Sequence, residues 1–381
     1  MDSIQLLSNE RRSNSKTIKK KLFIYLLILT IYVNMFLIYN FSIFKNDIKQ
    51  IKEVLPNIIN KTIISKDDEK ELNNYEYFEN NIYYNTNIMK SYIKHQKEFC
   101  NNPNKYYDYL YENQIKLQNF SLKNISYKIY VYKKYDIVSH IITRNRNFEG
   151  RTLLNCLNAL KYYAKKKNII NNKNIYILDI GGNIGVYPLY LGRFGYSILS
   201  FEPSPRNFYI SKKNYCLNQN LNIIIINKGL SNEEKKCDYY TQKNNIGNGI
   251  ILCNKINNKK IKKNFIKIND VLLTKINNFI PYLSDKNIAL IKMDVEGGEG
   301  KVIEGGIELL TKFHVPFIVL EFTPIYLREH NTDPEKFLQL FCNNGYKISL
   351  KGFLSNSFIS INDIMKKYRK QISLYLIYKR N

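Results

Sequence analysis

Ile175-Tyr-Ile-Leu-Asp179-Ile-Gly181-Gly182-Asn183-Ile-Gly185-Val186, followed by Phe201-Glu202-Pro203, decides the fold. The run reads as a buried strand, a glycine-rich turn and a helix start; Phe201-Glu202 then closes a second buried strand on an acid. That is the front half of a nucleotide-binding α/β unit, in which an acid at the second strand's end accepts hydrogen bonds from a ribose diol. Glycines in such a turn let the backbone approach a ligand where a Cβ would clash. Gly181 and Gly185 lie four apart with Gly182 beside the first, which does not fit Gly-x-Gly-x-x-Gly. A dinucleotide pyrophosphate site is therefore disfavoured.

Working outward, apolar runs alternate with helical patterns. Ile129–Tyr132 suggests a strand, and Arg151–Lys167 places Leu153, Leu154, Leu157, Leu160 and Ala164 on one helical face. The unit continues with a helix at Val186–Phe194, a strand at Tyr196–Glu202, a helix at Pro205–Leu217 and a strand at Leu221–Asn227. From Cys237 to Ile268 the pattern turns short and β-like, with Gly247 and Gly249 as turn signals. Ile288–Asp294 and Pro316–Glu321 are further buried strands, separated by a helix at Val302–Thr311. Asp333 caps a helix whose first position is Pro334, Gly345 marks its exit, and Ile372–Tyr378 is the last strand. The expected fold class is α/β, a doubly wound and mostly parallel sheet of Rossmann-like type.

Upstream, Leu22–Phe44 carries no charged residue, long enough to span a bilayer as a helix of about 20 apolar residues. Arg11, Arg12, Lys16, Lys19, Lys20 and Lys21 precede it, while Lys45, Lys49 and Lys52 are diluted by Asp47 and Glu53. The positive-inside tendency places residues 1–21 in the cytoplasm, 22–44 as a signal-anchor in the bilayer and the rest across the membrane, in the endoplasmic reticulum or Golgi lumen. Residues 45–125 read as a stem, partly helical and partly disordered, and 126–381 as the folded domain.

The formal net charge of +26 suggests nucleic acid as a partner, but the basic residues are mostly scattered lysines among Asn, Ile and Tyr. With no arginine-rich stripe or aromatic-interleaved basic motif, nucleic acid is set aside and a solvated basic surface expected. The six cysteines form no Cys-x-x-Cys pair and the four histidines have no short spacing with them, so zinc is not expected. Disulfides suit a lumenal domain, with a pairing that sequence does not assign.

The conspicuous acids Asp179, Glu202, Asp294, Glu296 and Glu321 fall at the carboxyl ends of expected strands, where open α/β sheets bind ligands. Asp179-x-Gly181-x-Asn183-x-Gly185 fits the acid-and-glycine loop of S-adenosylmethionine enzymes. Taken in order, the residues resemble the FkbM family of S-adenosylmethionine-dependent methyltransferases, a class I methyltransferase fold. Leu178–Gly185 resembles the family's cofactor loop, with Gly182 where an alanine is usual. Phe201-Glu-Pro-Ser-Pro-Arg-Asn207, Gly229-Leu-Ser231, Ile268–Leu273 and Leu320-Glu321 resemble further segments. Lys292-Met-Asp-Val-Glu-Gly-Gly-Glu299, then Glu304-Gly305, is the most specific element. Asp136–Ser139 and Phe148-Glu149 echo an upstream segment, Phe148 standing for the usual Trp.

The resemblance implies that Gly181, Gly182 and Gly185 meet the methionyl portion of S-adenosylmethionine near a helix N-terminus. Asp179 orients that loop or meets the amino group. Asn183, Pro203 and Ser231 complete the cofactor site, with Glu202 on the ribose hydroxyls. Asp294 faces the sulfonium region and, with Glu296, is the candidate for catalysis, by orienting the cofactor or taking a proton from an incoming hydroxyl. The plainer roles are loop bracing for Asp294 and helix capping for Glu299. Asp294 and Glu321 on neighbouring strands also offer oxygen ligands to Mg²⁺, a possibility left open without assigning a metal. The expected function is a membrane-anchored O-methyltransferase acting on a glycan, glycolipid or small-molecule hydroxyl, with the acceptor-side surface in the Cys237–Ile268 insertion and the N-terminal entry segment, which resemble the family least. A secretory glycosyltransferase shares the layout but would carry an Asp-x-Asp motif, absent here, and a catalytically inactive protein keeping the fold is the third reading.

Overall fold

The computed structural model describes residues 87–106, 108–253 and 264–379. All belong to the unit Glu79–Asn381. The expected cytoplasmic tail and the span 22–44 lie outside the described residues. Among the described residues no helix is long and apolar enough to cross a membrane.

The chain first builds an antiparallel hairpin from β1 (Ile115–Leu122) and β2 (Ile125–Tyr132). It then lays down β3 (Ile175–Ile180), β4 (Ser197–Phe201) and β5 (Ile223–Ile226). A second sheet follows, made of β6 (Gly229–Leu230), β7 (Lys235–Gln242), β8 (Asn245–Leu252) and β9 (Phe265–Thr274). The chain then returns with β10 (Asn287–Met293), β11 (Phe317–Phe322), β12 (Tyr346–Ser349) and β13 (Ile372–Tyr378). The main sheet has seven strands in the order β12-β13-β11-β10-β3-β4-β5. From β11 to β5 every pairing is parallel; β13 runs antiparallel to both β11 and β12. The sheet is therefore mixed at one edge, where the short strand β12 was not read from the sequence.

Strands β3, β4 and β10 are apolar on both faces because helices cover both, as parallel crossovers require. Ile175 and Ile177 of β3 join one core with Leu153, Leu157, Leu160, Tyr190 and the hairpin residues Phe120 and Ile129. Leu178 and Ile180 join the other, with Met293, Val302, Phe337 and Leu374. The helix Pro205–Leu217 starts on Ser204, whose side chain accepts from the Asn207 amide, with Pro205 in the first turn. Asp333 caps Pro334–Asn343 in the expected way. The helix expected at Val302–Thr311 is broken into Glu299–Glu304 and Glu308–Thr311. The break falls at Gly305-Gly306, where a Cβ on Gly305 would sit 2.0 Å from the Ser231 carbonyl oxygen.

Ordered packing begins well upstream of residue 126, inside the expected stem. Residues 87–101 are helical. Gln96 on that helix donates to Ile223 O at 2.8 Å and accepts from Ile225 N at 3.0 Å. It thereby pairs the backbone of edge strand β5, which would otherwise stand open. A disulfide from Cys100 to Cys216 fixes the same helix to Pro205–Leu217. Buried Met89 and Phe99 add apolar contacts to this glutamine and disulfide, too few to give the segment a periodic signature.

The second sheet has the order β6-β9-β7-β8. Gly247 and Gly249 lie inside β8 and not in a turn; the turn is at residues 243–244. Both are glycine for space: a Cβ would meet Asp136 Oδ1 at 2.2 Å in one case and the Tyr239 ring at 2.3 Å in the other.

Candidate functional site

The strand order reverses between β3 and β10: from β3 the chain moves outward to β4 and β5, then returns to the other side. Such a switch point opens a crevice beyond the carboxyl ends of the strands. A cavity lies there, lined by Gly181, Asn183, Glu202, Pro203, Ser231, Asp294 and Glu296 among the residues singled out in the sequence.

Asn183 sits at φ 48 in the turn and donates its backbone N–H to Glu202 Oε2 at 2.7 Å. Glu202 Oε1 accepts from the Ser204 amide at 2.8 Å. Two backbone donors thus hold the carboxylate at the end of β4, and acceptor positions remain on it for hydroxyl donors. Burial pushes its pKa up to about 7, against the pull of the Ser204 and Asn183 amides.

Asp179, Gly182 and Gly185 do not line the cavity. Asp179 is buried behind the loop, where its Oδ2 accepts from Ser200 Oγ at 2.7 Å. Of the two expected roles it takes the orienting one. A Cβ on Gly182 would meet Ser200 Oγ at 2.2 Å and one on Gly185 would meet Ser211 Oγ at 2.8 Å. These two glycines let the loop pack on β4 and on the helix Pro205–Leu217.

Asp294 follows β10, its backbone N–H donating to Ile180 O at 3.0 Å. Glu296 stands at φ 56 in the tight turn after it. Glu299 braces that turn, its Oε1 accepting from Val295 N at 3.1 Å and Gly297 N at 3.3 Å. Burial pushes Glu299 up to about 7. Carboxylate oxygens of Asp294, Glu296 and Glu321 lie within 4.8 Å of one another. Burial, then the Asp294 charge, holds the carboxyl groups of Glu296 and Glu321 well above the usual range. Such a trio has the oxygen chemistry for a divalent cation; no metal is assigned to it.

The cavity's far wall falls in the Cys237–Ile268 insertion, the segment expected to carry the acceptor side, although the sequence reading named none of its residues as lining a site. Tyr239, Gly247, Asn248, Gly249, Ile251 and Cys253, from the β7–β8 hairpin, line the same space. Asn207 Nδ2 donates to Gly247 O at 2.8 Å, and Asn183 Nδ2 reaches the same oxygen at 3.4 Å. Tyr132 donates to Asn207 Oδ1 at 2.8 Å. A disulfide from Cys237 to Cys253 closes the hairpin's open end. Lys301 and His330 complete the lining; burial, then the Lys301 charge, lowers the His330 pKa and keeps its imidazole neutral.

With this geometry in place, comparison with known families is decisive over the segment that builds it. Residues 179–348 match the methyltransferase FkbM domain. The FkbM match runs from Asp179 through β12 and takes in every cavity residue named above. None of the curated proteins compared matches the chain. Among solved structures, the bifunctional kinase-methyltransferase WbdD is similar at 11% identity and a TM-score of 0.37, over 65% of this chain and 44% of that one. The magnesium protoporphyrin IX methyltransferase ChlM from Synechocystis PCC 6803, with bound SAH, is similar at 11% identity and a TM-score of 0.27, over 61% of this chain and 88% of that one. A human methyltransferase 10 domain containing protein is similar at 13% identity and a TM-score of 0.31, over 60% and 83%. The chain thus spans less than half the length of WbdD.

Proposed function

We propose that this protein is a membrane-anchored, S-adenosylmethionine-dependent O-methyltransferase whose acceptor is a hydroxyl of a glycan or glycolipid. The observation that carries the reading is the meeting of Gly181, Asn183 and Glu202 with Asp294 and Glu296 around one cavity. The donor set fits the cofactor. Glu202 keeps acceptor capacity for a ribose diol, Ile180, Phe201 and Leu230 give apolar wall, and Asp294 sets a carboxylate opposite a sulfonium. When bound, S-adenosylmethionine supplies an activated methyl group. The chain's own residues do the rest: the Asn183 turn and Glu202 fix the ribose end, Ser231 closes the strand-end wall, and Asp294 with Glu296 orients the acceptor hydroxyl and accepts its proton. The β7–β8 hairpin excludes water from above.

Residues 22–44 and the basic run before them support anchoring with the domain across the membrane. The disulfides Cys100–Cys216 and Cys237–Cys253 support an oxidising compartment such as the secretory lumen. A single-span enzyme there meets glycans and glycolipids, which supports the acceptor class.

The test is incubation of the full-length protein with methyl-labelled S-adenosylmethionine and separated cellular carbohydrates, lipids, proteins and RNA. Label is expected in carbohydrate or glycolipid and is lost in Asp294→Asn. Label confined to RNA would overturn the assignment.

A further inference from the structure

One buried cation stands among the acids of the site, and the mechanism above does not use it. Lys292 belongs to β10, which pairs in parallel with β3 so that Lys292 is directly opposite Asp179. Residues two apart on a strand share a face, so Lys292, Asp294 and Asp179 lie on the same side of the sheet. The Lys292 side chain is 9% exposed. Its ammonium donates to Gly181 O at 2.5 Å, stands 3.5 Å from Asp294 Oδ2 and 3.9 Å from Asp179 Oδ1. That Asp179 oxygen has no hydrogen-bond partner of its own. The ring of Tyr187, whose hydroxyl donates to Glu149, lies 5.4 Å from the ammonium.

We infer that Lys292 is a positioning residue: its ammonium ties the Gly181 carbonyl of the cofactor loop to the Asp294 carboxylate, making loop and acid one rigid unit. The physical reason is the geometry of the crevice. The Gly181 carbonyl and the Asp294 carboxylate come from strands that meet at the switch point, and neither side chain of the first can hold the second, because Gly181 has none. Lysine supplies a point charge with several donors on a long stem, enough to serve a carbonyl and a carboxylate together. Burial alone would lower its pKa, yet the carboxylates of Asp294, Asp179, Glu149 and Glu321 outweigh burial and hold it above the ordinary value. An ion so placed is costly to remove, since its anionic partners then stay buried without compensation.

The kinetic half of the test rests on the methyl-transfer reading; the stability half does not. In thermal melts of the full-length protein, Lys292→Met is expected to lower the midpoint by at least 5 °C, on the order expected for a buried pair broken on one side. Adding Asp179→Asn, which neutralises the partner at constant shape, is expected to restore at least about half of that loss. A lysine that only fills space gives no such restoration, and that result overturns the proposal. If Lys292→Met alone does not fold, a folded double variant is the expected outcome and an unfolded one the overturning outcome. In turnover assays Lys292→Met is expected to lower kcat by about 30-fold or more while the cofactor KM changes less than about threefold, with partial recovery in Lys292→Arg. In an Asp294→Asn background the same change is expected to cost less than about threefold; fully additive losses overturn the coupling. Should the unaltered protein show no turnover, the methyltransferase reading falls while the melts still decide the role of Lys292.

Discussion

Gly181 and Asp294 meet so closely that a Cβ on the glycine would lie 1.8 Å from the Asp294 carbonyl oxygen. Gly181 also sits at φ +82, a region that side chains other than glycine rarely adopt. The tips of β3 and β10 are therefore in close backbone approach. Gly181→Ala is expected to cost about 3 kcal/mol or more in chemical denaturation, from strain and overlap together. Gly298→Ala, at φ −79 with no atom nearer than 3.5 Å to the added carbon, is expected to stay within about 1 kcal/mol.

Asp294 and Glu296 differ in what they can do near neutrality. Glu296 is held largely protonated by burial and by the Asp294 charge, so it orients by donating while Asp294 accepts. Asp294→Asn is expected to lower kcat by about 10²- to 10⁴-fold, measured by methyl transfer to the identified acceptor, with cofactor affinity far less affected. Equal losses in kcat and in cofactor affinity would instead assign Asp294 to bracing the loop.

The raised pKa of Glu202 gives a pH dependence whose sign is fixed. Its ordinary value of 4.5 in the unfolded chain rises to about 7 in the folded one. Its contribution to stability is thus fully present below pH 4.5 and lost as pH rises through about 7. Acceptance from a ribose diol needs the ionised form, so affinity for S-adenosylhomocysteine is expected to increase between pH 6 and 8, read by calorimetry, and to lose that increase in Glu202→Gln.

Asn207 links three parts of the site: Tyr132, Gly247 and, at 3.5 Å, Glu202. Asn207→Ala is expected to cost about 1–3 kcal/mol, the range for leaving buried hydrogen-bonding groups unpaired. Most of it should be read as weakened cofactor binding by calorimetry, because the hairpin wall loses its main hold on the loop.

The disulfide Cys100–Cys216 joins positions 116 residues apart. Cys100→Ala with Cys216→Ala is expected to remove about 2–5 kcal/mol of stability. Hydrogen exchange should rise first at Gln96 and along β5, whose edge that helix protects.

What could be read from the chain follows from what leaves a local signature. The strand–turn–helix around Asp179–Gly185, the acid after β4 and the run Lys292–Glu299 are each contiguous, and buried parallel strands stand out as unbroken apolar runs. That reading placed Glu202, Asp294 and Glu296 on a common hollow. It did not show that Gly182 and Gly185 are also small to admit Ser200 and Ser211, because a glycine required by a neighbouring serine looks the same in sequence as one required by a ligand. It also took Gly247 and Gly249 for turns, although each is small to admit Asp136 or Tyr239 from distant segments. Of the β1–β2 hairpin only Ile129–Tyr132 was read, and the helix over 87–101 belongs to the fold through Gln96, Cys100 and a few apolar contacts that form no periodic pattern. The far wall of the cavity was legible only as a segment, Cys237–Ile268, because it is made by a separate sheet held in part through one carbonyl, Gly247 O.

That carbonyl, Gly247 O, is an atom every residue possesses. Its grip on Asn207 does not depend on which side chains β8 carries at its other positions. Asn248 and Ile251, which face the cavity, can therefore be exchanged without unfastening the wall. The attachment of this wall is thus separable from the side chains it presents to the hollow.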